Sequence, residues 1–143
     1  MLGSSISRAL LGIALALVIC SMQAASAQDP EQQCGEKVAQ MYREQWPNWA
    51  ASTPDVQARM LSHYNTSLGK CVFLEVVSGS VRSPALDRIL PREAQRLGDA
   101  DQNRNLGRYD GWDGEPPVTC WVQDNTCSSK QDWEQLIKPY LTE

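Results

Sequence analysis

Cys71-Val72-Phe73-Leu74-Glu75-Val76-Val77 is the segment on which the fold turns. Seven residues rich in β-branched and aromatic side chains, opened by the turn Ser67-Leu68-Gly69-Lys70 and closed by Gly79, read as a strand. Its near-continuous apolarity places it in the middle of a sheet or under cover on both faces. The flanking segments have to supply the rest of the sheet and its covers.

Upstream, Asp29-Pro30-Glu31-Gln32 combines an N-cap acid, a proline at the first helical position and a glutamine placed for a capping box. Cys34, Val38, Met41, Tyr42 and Trp46 then recur on one helical face until Pro47, which predicts a helix from Pro30 to Trp46. Cys34 lies on the apolar stripe, so its sulfur should point into the core. Pro47 to Ser52 is a connector, and Thr53-Pro54-Asp55 repeats the cap-then-proline start. Val56, Met60, Leu61 and Tyr64 follow at helical spacing and predict a short second helix, although His63-Tyr64-Asn65 suits an extended chain equally.

Downstream, Ser83 to Leu97 leaves helix or strand open. Leu86, Ile89, Leu90, Ala94 and Leu97 are helically spaced, but Pro91 would kink or split a helix. Gly98 to Pro117 is polar and glycine-rich and reads as a long surface loop. Val118 to Val122 is a second strand, Gln123 to Ser128 a turn, and Ser129-Lys130-Gln131-Asp132 opens a helix with Trp133, Leu136, Ile137, Tyr140 and Leu141 on one face. The fold class that results is α+β: an N-terminal helix, a small antiparallel sheet and a C-terminal helix in one domain.

The first residues carry one charge, Arg8, before an apolar run from Ala9 to Cys20 and the small-residue ending Ala25-Ser26-Ala27. This is the pattern of a cleavable signal peptide over Met1 to Ala27, with an A-x-A processing site. The bulky Ile19 disfavours the alternative of lipoprotein processing at Cys20. Residues 28–143 then form a single mature domain, periplasmic or secreted, with no transmembrane segment. Without Arg8 it keeps 12 basic against 17 acidic side chains. That balance argues against nucleic acid as a partner, since phosphate binding rests on a basic surface.

The mature domain retains Cys34, Cys71, Cys120 and Cys127. An even count in an exported domain implies two disulfides with three possible connectivities. Spacing and periodicity favour Cys34 with Cys71, tying the first helix to the central strand, and Cys120 with Cys127 across a turn. Paired sulfurs are unavailable as nucleophiles or thiolate ligands, and the spacings lack the CxxC pairs of a zinc site.

Three constellations remain as candidate chemistry. Glu75 interrupts an apolar strand, where burial would raise its pKa and suit it to acid or base work, and His63 is the only histidine; together they define a possible small envelope hydrolase. A structural histidine and a glutamate paired with an arginine are the competing readings. Asp99, Asp101, Asn103 and Asn105 place oxygen side chains at alternate positions, as at the start of a calcium loop, but Arg104 stands where that loop needs glycine and Asp110 where it needs glutamate. Asp110-Gly111-Trp112-Asp113-Gly114-Glu115 sets an aromatic among three acids, a composition that carbohydrate or cationic ligand sites use through stacking.

The run His63-Tyr64-Asn65-Thr66-Ser67-Leu68-Gly69-Lys70-Cys71, the apolar strand after it, and a C-terminal Cys-x6-Cys followed by a tryptophan-bearing helix resemble a group of small exported, uncharacterised proteins of Gram-negative bacteria. The resemblance implies an exported, two-disulfide scaffold and assigns no activity. The expected function is therefore a non-catalytic envelope or secreted domain that binds an envelope protein or a ligand, with the calcium module and the Glu75/His63 hydrolase as alternatives.

Overall fold

The computed structural model describes residues 28–45, 55–84 and 87–142. The leader expected at Met1 to Ala27, Trp46 and the Pro47 to Ser52 connector lie outside these. Helix α1 (Pro30–Gln45) comes first, followed by β1 (Val56–Asn65), β2 (Lys70–Ser83), β3 (Arg88–Asp99), β4 (Arg104–Trp112), β5 (Thr119–Val122) and β6 (Asn125–Thr126). Helix α2 (Lys130–Leu141) ends the chain. The strands pair antiparallel in sequence order, a six-stranded meander. The fold is α+β.

Alternation along β2 explains its unbroken apolarity. Val72, Leu74 and Val76 join Leu97, Tyr109, Val122, Trp133 and Ile137 in a core beneath α2, whereas Cys71 and Phe73 join Cys34, Val38 and Ala100 in a second core beneath α1. Both faces of the central strand are thus dry because each carries its own helix. Disulfides tie down α1 and the approach to α2. Cys34 is bonded to Cys71, joining α1 to β2, and Cys120 is bonded to Cys127 across β5 and β6. Ser129 caps α2 by accepting the Asp132 amide at 3.1 Å, and the Asp132 carboxylate returns to the Ser128 amide and hydroxyl. Among the described residues, no helix is long and apolar enough to cross a membrane.

Two expected elements are corrected. Residues 56–64 form strand β1, not a short helix. Val56, Met60 and Tyr64 are spaced by four, which satisfies a helical period and a strand period alike. The intervening Gln57 and Arg59 are exposed while Val56, Ala58 and Met60 are half-buried, so the period is two. Pairing from Val56 opposite Gly79 to Asn65 opposite Lys70 supplies the hydrogen bonds that overrule helical propensity.

The loop expected over 98–117 is in large part strand β4, paired from Arg92–Trp112 to Asp99–Arg104. Its glycines mark close approach rather than turns. A Cβ on Gly98 would collide with the Phe73 ring, so the ring lies directly on glycine backbone, next to a register shift at Leu97/Gly98.

The 83–97 segment, left open between helix and strand, is mostly β3. Pro91 fits because it lies one residue beyond the last β3–β4 pair, and its carbonyl accepts the Asp113 amide on that side. The proline nitrogen faces the same way, so it takes nothing from the β2–β3 ladder and, lacking a hydrogen to return to Asp113, ends the β3–β4 ladder there.

Candidate functional site

Strands β2, β3 and β4 run on past the first turn of α2, and the step between them forms a cleft of about 990 Å³. Ser78 to Ser80 form one wall, Pro91 to Glu93 the next, Gly111 to Pro116 another, and Ser128 to Gln131 at the start of α2 close it. Its volume is at the upper end of the range that holds a small ligand.

A connected polar relay runs beneath the cleft, and its members Glu93 and Lys130 line it. The Trp133 indole donates to Gln95 Oε1 at 2.7 Å, the Gln95 amide nitrogen donates to Glu93, and the Lys130 ammonium meets the same carboxylate at 3.0 Å. Burial pushes the Glu93 carboxyl up, but the Gln95 and Lys130 hydrogen bonds outweigh it and leave it below the usual value. The Glu93 contact likewise raises Lys130. Both groups are charged at neutral pH, and they cancel.

Tyr109 stands beside this relay with its ring centroid 6.1 Å from that of Trp133. It is only 4% exposed, lines the cleft, and its hydroxyl has no hydrogen-bond partner among the described residues. Burial raises its pKa, so the phenol stays protonated. A Cβ on Gly111 would stand 2.6 Å from the hydroxyl oxygen and 2.9 Å from Cζ, so the phenol end of Tyr109 lies on the Gly111 backbone in the space a side chain would take.

At the cleft wall the acid-aromatic run behaves differently from its expected role. Asp110 is buried and accepts both Nε and NH2 of Arg92, at 2.8 and 2.6 Å. The Arg92 guanidinium in turn stands 5.2 Å from the Trp112 ring centroid. The cation stacked on this tryptophan is the protein's own arginine, which fixes Trp112 as a wall. Asp113 and Glu115 remain exposed on the rim.

The other expected residues lie elsewhere. Glu75 is buried and accepts Arg96 Nε at 2.8 Å, and Arg96 continues to Gln45 and to the face of Phe73. His63 stands opposite Val72 while Glu75 stands opposite Met60, so the register sets the two on opposite faces of the sheet. Nδ1 of His63 lies 3.5 Å from Glu31 at the start of α1. The structure does not bring His63 and Glu75 together.

Asp99 and Asp101 do meet, in the β3–β4 turn, but as a structural knot. Fully buried Asp99 accepts Lys70 Nζ at 2.9 Å and the Asp101 and Gln102 amides. Asp101 accepts Lys37 at 2.6 Å and the Cys71 amide. Asn103 takes the positive φ of the turn and Asn105 is exposed on β4 opposite Gly98. Among the described residues, no group of three or more His, Cys, Asp or Glu stands in a metal-binding arrangement.

Sequence reasoning missed Glu93, Gln95, Tyr109 and Lys130. Tyr109 and Gly111 alternate on one face of β4, a signal that was present but hidden when the segment was read as a loop. Comparison with protein-family models, with curated proteins and with solved structures returns no match for this chain.

Proposed function

We propose that the mature chain is an exported, non-catalytic binding domain of the cell envelope or extracellular space, and that it holds its ligand in the cleft between the sheet end and the start of α2. The observation that carries this reading is the cleft itself, with about 990 Å³ of space above a fixed polar floor. Apart from the rim acids Asp55, Asp113 and Glu115, every charged group lining the cleft is already matched: Glu93 with Lys130, and Arg92 with the buried Asp110. Such a site is built to hold a ligand in one orientation rather than to transfer protons. The two disulfides support the compartment, because such bonds persist where thiols are not kept reduced.

Native mass spectrometry of the protein isolated from its own cell envelope tests the reading, set against the same sample denatured and alkylated without reduction. An added mass that vanishes on denaturation is the expected result. A bare chain in every preparation, with turnover of an envelope substrate that is lost in Glu75→Gln, would replace binding with catalysis.

A further inference from the structure

We propose that the ligand of this cleft is an uncharged saccharide, with the Tyr109 hydroxyl as its central hydrogen-bonding contact; the proposal rests on the binding reading above. The Tyr109 ring is almost wholly buried, yet its hydroxyl has no hydrogen-bond partner among the described residues; since none of their fully buried side-chain N or O atoms lacks a partner, this oxygen keeps its access to the cleft. An accessible hydroxyl fixed in place by a buried ring can exchange its water for a ligand hydroxyl without losing a hydrogen bond.

The chemistry around it selects the ligand class. A phenol both donates and accepts, Glu93 accepts, Lys130 donates, and Ser78 and Gln57 add neutral groups of both kinds. This mixture matches sugar hydroxyls, each of which donates and accepts at once. Net charge does not match an anion: Asp55, Asp113 and Glu115 on the rim would repel one, while Lys130 and Arg92 are already neutralised. Pro91 and Pro116 line the same cleft and supply apolar surface against which the C–H face of a sugar ring packs.

The test uses the mature, disulfide-bonded protein and follows its backbone amides by NMR. It is titrated with cellotetraose, maltotetraose and N-acetylchitotetraose, and separately with spermidine as a cationic probe. At least one saccharide is expected to shift the amides of Ser78, Gly111 and Trp112. Tyr109→Phe, which keeps the ring against Trp133, is expected to weaken that saccharide about fivefold with the melting temperature unchanged. Silence with all three saccharides overturns the proposal, as does a Tyr109→Phe variant that binds like wild type. Cleft shifts with spermidine alone overturn the saccharide class and leave the binding reading standing. Silence with every probe, together with no native adduct in the mass spectrum, removes both.

Discussion

At the scale of single residues, the two cores are set by contacts with no slack. Gly98 is one, since its missing side chain is the space that the Phe73 ring occupies. Gly98→Ala is expected to destabilise the domain by about 1–3 kcal/mol in urea unfolding, and Phe73→Leu in the same chain should recover part of that loss. Asp99 is another. Burial would raise its carboxyl, and the Lys70 ammonium with the Gln102 and Asp101 amides holds it below 3.8 instead. A depressed folded-state pKa contributes stability above pH 3.8, and that contribution is lost as pH falls below it. Lys70→Met, which leaves the buried carboxylate without its ion partner, should cost about 2 kcal/mol at neutral pH, less than a fully buried pair because Lys70 is partly exposed. The difference between variant and wild type should shrink as melting is followed to pH values below 3.8, as Asp99 takes up its proton. A constant difference across that range would mean that Lys70 acts through packing alone.

Among the elements, the disulfides anchor unequal lengths of chain. Cys34–Cys71 spans 37 residues and Cys120–Cys127 spans 7. In the loop-entropy model these correspond to about 4 and roughly 2.5 kcal/mol. The Cys34→Ser/Cys71→Ser pair should therefore lower the melting temperature more than the Cys120→Ser/Cys127→Ser pair, and should also loosen α1 from β2. Both helices, the central strand and the α+β class were legible in the sequence, because caps, prolines and apolar stripes are local signals. Strands β1 and β4 were not. In β1 a spacing of four residues hides a period of two, and in β4 glycines that admit neighbouring rings imitate those of loops. The site was hidden for the same reason. The Asp110 to Glu115 run was legible as part of a ligand surface, but its neighbours Tyr109, Glu93 and Lys130 come together only once β3, β4 and α2 are paired.

For the whole molecule, the architecture divides the work between its two ends. At one end the Asp99/Asp101 knot ties the β3–β4 turn to α1 and β2, so the acids that resemble a calcium loop are held by Lys70 and Lys37. At the other end β2, β3 and β4 outrun α2, leaving the cleft with Tyr109 at its floor. A ligand that binds only the folded state stabilises what it touches, so its position can be read from local opening. Hydrogen–deuterium exchange on the mature protein, with and without the low-mass fraction of its own cell envelope, locates that position. New protection is expected at Ser78 to Ser80, Gly111 to Glu115 and Ser128 to Gln131. Protection centred on Asp99 to Asn105, or none in these cleft segments, would contradict a ligand site at the sheet end.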